Sequence, residues 1–257
     1  MKKELLIFLL LAVFVSSLAC QLLAPARTGT VISNCAEIVS AMTKMQSADI
    51  PDHLLETSIK TGTELDINQY FDVLTHLSMR EGYALDYVYQ SDDLGAYPLL
   101  YARPLDQVPY ASPADVPTAT ELPDFRDYVE VQDLEQGYFE YAALDIMADQ
   151  FYLYWHANYN DYEIVCSEAE LNKIVDQVSS GDFGVKMSPV QQARARAIRN
   201  IEPSVSLNED TATVQFITFS KWGGFYRETY TISRQFPHQI INVEQDNLVP
   251  YDCGVAF

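Results

Sequence analysis

Side chains able to take part in proton transfer surround His156 in the sequence. Asp145 precedes it and Asp161 follows it closely. An imidazole that lies within hydrogen-bonding reach of a carboxylate can act as a general base. The candidate catalytic residues are therefore His156, Asp161 and Asp145. Because the chain offers neither a nucleophile motif nor a metal site to complete them, the sequence leaves open whether the protein is an enzyme and favours a non-enzymatic role.

The same stretch alternates in character from Phe151 to His156. Odd-numbered residues are apolar, whereas the even-numbered ones are amphipathic, which predicts a half-buried β-strand. We expect this strand at the centre of a sheet, with its second face available to a glycan or a partner protein. Tyr and His side chains suit such a face because each has a flat ring and a polar group. The predicted ligand-binding residues are Tyr152, Tyr154, His156, Asn158 and Asn160. An alternative reading is that these aromatic residues only pack the sheet.

Other motifs predict neither a metal nor a cofactor. The four histidines are scattered, without the spacing of zinc ligands. Asn158, Asn160 and Asp161 are typical of a turn, because a calcium-binding loop needs a Gly and a final Glu that are missing here. Lys60-Thr61-Gly62 resembles an element of penicillin-binding proteins and serine β-lactamases. Their Ser-x-x-Lys nucleophile is absent from the chain, so this match is discarded.

The N-terminal segment has the pattern of an export signal. Lys2 and Lys3 precede the apolar run Leu5–Val15, which is too short to span a bilayer as a mature helix. Ser17-Leu18-Ala19-Cys20 then resembles the lipobox of bacterial lipoprotein precursors, although that family usually has Leu where this chain has Ser17. The resemblance implies that residues 1–19 are a signal peptide, that Cys20 is acylated, and that residues 20–32 tether a domain to the membrane. Secretion without a lipid, or an uncleaved anchor, are the alternatives.

Charge and cysteine content restrict the partners and the compartment. The net charge of −20 on 257 residues argues against nucleic acid as a partner, because phosphates would be repelled. In an exported protein with Cys20 acylated, three cysteines remain for pairing. We expect a disulfide between Cys166 and Cys253, which would join the C-terminal tail to the sheet, and a free Cys35. Buried free thiols are the alternative.

The remaining pattern predicts an α+β fold with a largely antiparallel sheet and about four helices, in a single domain over residues 33–257. Capping signals and apolar periodicity place helices at about 35–46, 67–80, 168–179 and 189–199. The predicted strands are Tyr83–Gln90, Tyr97–Arg103, Gly137–Met147, Gln150–His156, Ser204–Leu207, Thr211–Trp222, Phe225–Arg234 and Gln239–Gln245. The proline-rich stretch 104–123 is expected to be a long loop over the fold, with a subdomain boundary as the alternative.

A tight turn at Gly223-Gly224 would set the register of the last large hairpin. Trp222 would then lie opposite Phe225, and Phe219 opposite Glu228. We expect the face that carries Phe219 to cover the core, with Lys221 and Glu228 paired at its rim.

The sequence thus favours an exported, lipid-anchored cell-envelope protein that binds a ligand or a partner protein. An envelope hydrolase that uses His156 with a neighbouring carboxylate is the competing hypothesis.

Overall fold

The structure is a computed structural model that describes residues 29–117, 122–182 and 184–256. The predicted signal peptide and Cys20 lie outside the described residues. Helices and antiparallel sheets are both present, which confirms the α+β class. The α-helices are α1 (Cys35–Gln46), α2 (Asp52–Thr57), α3 (Tyr70–Val73), α4 (Glu135–Met147), α5 (Glu168–Ser180) and α6 (Pro189–Arg196). The strands are β1 (Thr30–Val31), β2 (Leu77–Met79), β3 (Tyr83–Asp92), β4 (Gly95–Pro104), β5 (Val129–Val131), β6 (Tyr154–Trp155), β7 (Glu163–Val165), β8 (Ser204–Leu207), β9 (Thr211–Ser220), β10 (Gly224–Ser233) and β11 (Ile240–Pro250).

The strands form three antiparallel sheets. A six-stranded sheet has the order β1-β8-β9-β10-β11, and β7 pairs with β9 beside it. A three-stranded sheet has the order β3-β4-β6, and β2 pairs with β5. One hydrophobic core joins α1, α4 and the β3–β4 hairpin to the face of the large sheet that carries Phe216 and Tyr230. A second core packs α5 and α6 against Ile217 and Phe219 on the other face.

Three predicted helices begin where their capping signals place them. Helix α1 starts at Cys35, although the Asn34 side chain makes no capping hydrogen bond. Ser167 accepts a hydrogen bond from the Glu170 backbone at the start of α5. A full capping box, formed with Ser188, precedes α6. Such side-chain acceptors satisfy backbone N–H groups that have no partner within the helix.

Two other predicted elements differ in type. The predicted strand Gly137–Met147 is helix α4, which is buried around most of its circumference. A short apolar run without a clear period fits a buried strand or a buried helix equally well. The predicted helix at 67–80 is also wrong beyond its first turns. It ends at Val73, and Leu77 then pairs with Val131 in the small β2–β5 sheet.

The stretch Gln150–His156 is not a central strand. Only Tyr154 and Trp155 are extended, and they pair with β4 at the edge of the three-stranded sheet. Tyr152 and Trp155 have positive φ angles of 55° and 52°. Each of these residues turns the backbone out of the extended conformation, so the alternation of faces predicted from the sequence is lost.

The predicted register of the β9–β10 hairpin is wrong by three positions. Phe225 pairs with Phe219 and Gly224 with Ser220, so the connection has three residues instead of two. Gly224 has φ of +94° and lies against the backbone of β11, where a side chain would meet the Val249 carbonyl. The glycine therefore serves close strand packing. Glu228 is buried at 4% exposure and bonds Thr218, so it does not pair with Lys221 at a rim.

The disulfide prediction is also corrected. Cys166 is bonded to Cys35, with 5.5 Å between their Cα atoms, whereas Cys253 is a buried free thiol. The start of α1 lies beside the β7–α5 junction, which brings Cys35 to Cys166. Cys253 instead belongs to the second core, and its backbone N–H donates to the Lys221 carbonyl. A disulfide is compatible with an exported protein.

The proline-rich stretch follows the β3–β4 hairpin over its described part. The Lys60 N–H donates to the Ala111 carbonyl, and the Ala102 N–H donates to the Pro123 carbonyl. Residues 118–121 lie outside the described part. Among the described helices, none combines the length and the apolar character needed to cross a bilayer.

Candidate functional site

A line of aromatic side chains runs from the edge of the three-stranded sheet to the β9–β10 turn. It consists of Tyr154, Trp155, His156, Tyr159 and Trp222, and we refer to it as the aromatic strip. Tyr154 and Trp155 are 48% and 44% exposed, so the strip begins with two accessible rings.

From Trp155 to Trp222, the rings of the strip contact one another in sequence. Trp155 and His156 are stacked, with centroids 5.0 Å apart and planes at 23°. His156 and Tyr159 follow at 5.7 Å, and Tyr159 meets Trp222 edge to face at 5.0 Å. Aromatic pairs at these separations stabilise each other beyond simple burial of area. The rings therefore hold one another in place.

Backbone and side-chain hydrogen bonds attach the strip to three parts of the fold. The His156 N–H donates to the Leu94 carbonyl at the tip of the β3–β4 hairpin. Asn158 Nδ2 donates to the Trp155 carbonyl at 2.9 Å, which closes the 3-10 turn His156–Asn160. At the other end, Trp222 Nε1 donates to the Val255 carbonyl at 2.8 Å.

The backbone that presents Trp155 is strained. Its φ of 52° and ψ of −123° place a large side chain where usually only glycine is found. A residue in such a sparsely populated region costs about 1–3 kcal/mol and persists only where its surroundings enforce it. Tyr152 has a positive φ as well, and it is buried. Its hydroxyl accepts from the Leu65 N–H and its carbonyl accepts from the Tyr89 hydroxyl. Strain of this kind concentrates at functional sites.

Charged groups flank the Trp222 end. Asp161 accepts a hydrogen bond from Ser220 Oγ at 2.9 Å and lies 3.2 Å from Lys221 Nζ. Burial raises the pKa of Asp161 above its usual range, although Lys221 and Ser220 oppose this. The Lys221 ammonium also lies 5.9 Å from the centre of the Trp222 ring, within the range of a cation–π contact.

The structure does not assemble the candidate catalytic residues. Over the part of the chain that the structure describes, no carboxylate lies within hydrogen-bonding distance of the His156 ring. Asp161 is bonded to Ser220 and Lys221. Asp145 accepts from Arg126 Nη1 at 3.0 Å and from the Tyr230 hydroxyl at 3.1 Å. The hydrolase hypothesis thus gains no support from these contacts.

The predicted ligand-binding residues divide into two groups. Tyr154, His156 and Asn160 lie at or near the surface, whereas Tyr152 is buried. Asn158 shapes the turn through its bond to the Trp155 carbonyl. Sequence reasoning missed Trp155, Tyr159 and Trp222. The alternation predicts Trp155 on the apolar face of a strand, whereas its backbone has a positive φ and its side chain is exposed. No local pattern connects Trp222 to this stretch.

Comparison with known proteins identified no matching family model, curated protein or solved structure. Within the described ranges, no group of three His, Cys, Asp or Glu side chains is arranged to hold a metal ion. The chemistry that the strip offers is non-covalent, because exposed ring faces and flanking amides can hold a ligand by stacking and hydrogen bonding.

Proposed function

We propose that this chain is an exported, lipid-anchored cell-envelope protein whose aromatic strip binds a neutral glycan. The single observation that carries the binding role is the exposed Trp155 ring on a strained backbone, stacked on His156. A sugar ring has an apolar face bordered by hydroxyl groups. An indole face with amides beside it complements both features.

The contacts within the strip also favour binding energetically. From Trp155 to Trp222 each ring touches the next, and Trp222 Nε1 donates to the Val255 carbonyl. Side chains already fixed in the free protein lose less conformational entropy when a ligand arrives. Tyr and Trp are suited to this because they offer a large contact area with few rotatable bonds.

The net charge of the protein disfavours the binding of acidic polymers. The chain carries a net charge of −20, and Lys221 at the Trp222 end of the strip is already paired with Asp161. A field of this sign repels polyanions such as acidic polysaccharides and nucleic acids. A neutral glycan is not repelled by this charge.

The lipobox-like sequence before Cys20 supports export and anchoring, and the Cys35–Cys166 disulfide is compatible with export. Mass spectrometry of the N-terminal peptide from the native protein tests the anchor. A diacylglyceryl-modified Cys20 is expected. An unmodified N-terminus at Cys20 would contradict the anchor and leave secretion standing.

Glycan binding is tested with an array of neutral and acidic glycans, followed by calorimetry on the best ligand. We expect Trp155→Ala to weaken binding at least tenfold. The matched control is Phe236→Ala, which removes another exposed aromatic ring outside the strip. Binding that is confined to acidic glycans, or that is equally weak in both variants, would contradict the proposal.

A further inference from the structure

A cavity of about 470 Å³ lies along β3 and the segment that contains Lys60. Segment 60–68 forms one wall, β3 and β4 form the second, and residues 109–111 of the proline-rich stretch form the third. This volume falls in the range of small-molecule sites. The strip takes no part in this cavity, so any ligand here is distinct from the glycan proposed above.

Two cations share one carboxylate in this cavity. Lys60 Nζ lies 2.6 Å from Asp86 Oδ1, and Arg103 Nε lies 2.7 Å from Asp86 Oδ2. The three side chains are only 11%, 16% and 11% exposed for Lys60, Arg103 and Asp86. Buried charges are expensive unless they are paired, and a single carboxylate cannot neutralise two cations. The cluster therefore keeps one formal positive charge in a strongly acidic protein.

The fold fixes the positions of all three groups. Asp86 also accepts from the Tyr87 N–H at 2.8 Å. Arg103 Nη1 donates to the carbonyls of Pro104 and Gln107. The Lys60 ammonium lies 4.4 Å above the centre of the Tyr87 ring. Their geometry is thus set before any ligand arrives, which lowers the entropy cost of binding.

The unused hydrogen-bonding capacity of the cluster consists of donors. Among the described residues, Arg103 Nη2 has no acceptor, and Lys60 Nζ has only Asp86. An ammonium carries three N–H donors and a guanidinium carries five. Several donors therefore remain for an acceptor in the cavity.

The other charged groups at the cavity already make hydrogen bonds to neighbouring protein groups. Glu64 accepts from the backbones of Thr61 and Gly62 and from His53. Burial opposes its ionisation, but these hydrogen bonds prevail and lower its pKa to about 2. Asp66 is exposed, and one of its oxygens accepts from the Asn68 N–H. Glu64 is therefore ionised and holds its own loop, and its hydrogen bonds involve neither Lys60 nor Arg103.

The remaining walls are apolar or aromatic. Leu65, Ile67, Leu85 and Pro109 line the cavity, and the Tyr110 ring contacts Tyr101 at 5.6 Å. These surfaces suit an apolar body, while the two cations suit a planar anionic group that can accept several N–H bonds at once.

We infer that this cavity binds a small organic acid, with its carboxylate against Lys60 and Arg103 and its apolar body against Leu85 and Tyr110. No Ser or Cys nucleophile is among the residues that line the cavity, and the ligand is bound without a covalent step. The Lys-Thr-Gly sequence, which predicted no function on its own, contributes its Lys60 to this site.

Calorimetry with matched pairs of probes tests the inference. The probes are phenylacetate and 4-phenylbutyrate, each compared with its neutral amide. We expect at least one carboxylate to bind saturably and its amide to bind at least tenfold more weakly. Equal affinity for acid and amide, or no saturable binding of either acid at millimolar concentration, would overturn the inference.

Substitutions of Lys60 and Arg103 test whether the carboxylate binds in the cavity. Lys60→Met and Arg103→Met each leave the other cation paired with Asp86, and each should weaken carboxylate binding at least tenfold. The surface changes Lys44→Met and Arg196→Gln are the controls and should leave it unchanged. Should Arg103→Met fail to fold, Asp86→Asn gives a second measurement. It removes the competing carboxylate, so the acid that binds the wild type should raise the melting temperature of this variant more than that of the wild type. No added rise would contradict the inference.

Tryptophan fluorescence distinguishes binding in the cavity from binding to the aromatic strip. Both tryptophans of the chain, Trp155 and Trp222, belong to the strip. A carboxylate in the cavity should bind without changing their emission, and it should bind equally well to Trp155→Ala. A carboxylate whose binding is lost in Trp155→Ala would place it on the strip and overturn the assignment to the cavity.

Discussion

Tyr87 and Tyr89 lie two residues apart on the same face of β3, yet only the Tyr89 hydroxyl has a hydrogen-bond partner. Tyr89 donates to the Tyr152 carbonyl at 2.6 Å. The Tyr87 hydroxyl is buried and has no partner among the described residues. An unsatisfied buried hydroxyl costs folding free energy, whereas a satisfied one contributes about 1 kcal/mol.

This difference predicts opposite effects for one substitution. Tyr87→Phe should leave the free energy of unfolding unchanged or raise it, and Tyr89→Phe should lower it by about 1 kcal/mol. Urea denaturation of the two variants checks this. Equal losses in both would show that Tyr87 has a partner in solution.

The disulfide predicts a specific peptide map and a large stability effect. Digestion without reduction should release Cys35 and Cys166 in one linked peptide pair, with Cys253 as a free thiol. The bond joins residues separated by 131 positions, so replacing both cysteines with Ala should cost about 4–5 kcal/mol by the chain-entropy model. A Cys166–Cys253 linkage in the map would contradict the structure.

Gly224 and Gly62 form a matched pair for backbone strain. Both have positive φ, at +94° and +87°, but a side chain meets the Val249 carbonyl only at Gly224. Gly62→Ala should cost about 1–2 kcal/mol from its backbone conformation alone. Gly224→Ala should cost distinctly more, because β11 must also move. Similar melting temperatures for the two variants would show that Gly224 does not lie against the backbone of β11.

Glu64 predicts how acid affects stability. Its pKa is lowered from 4.5 to about 2 in the folded protein, so its contribution is fully present above pH 4.5. That contribution is lost as the pH falls from 4.5 toward 2, because the unfolded chain takes up the proton first. The melting temperature of Glu64→Gln should therefore fall less than that of the wild type as the pH is lowered over this interval. Glu81→Gln, at an exposed position, is the control. Identical pH profiles for wild type and Glu64→Gln would contradict the assignment.

Local signals predicted local structure well. The capping residues Ser167 and Ser188 mark the starts of α5 and α6, and the predicted strands Tyr83–Gln90 and Tyr97–Arg103 lie within β3 and β4. Such signals depend on hydrogen bonds within a few residues of the chain. The prediction of an α+β class followed from them.

Long-range packing explains what was missed. Helix α4 is apolar around most of its circumference because two layers bury it, which removes the period that identifies a helix. The register of β9 and β10 depends on Gly224 packing against β11, a contact absent from the local pattern. For the sites, Trp222 reaches the strip only through the β9–β10 turn, and Lys60 meets Arg103 only through Asp86.

The central claim, that the aromatic strip binds a neutral glycan, is tested most directly by tryptophan fluorescence. Both tryptophans belong to the strip, so the emission of the unmodified protein reports on the strip alone. Chitotetraose, cellotetraose and maltotetraose are titrated into wild type, Trp222→Phe and Trp155→Phe. We predict a saturable change with at least one of them and an unchanged circular-dichroism spectrum in both variants. Trp155→Phe should bind that sugar about tenfold more weakly, a difference of about 1.4 kcal/mol. No saturable change with any of the three sugars, or equal affinity in Trp155→Phe and wild type, would contradict the account.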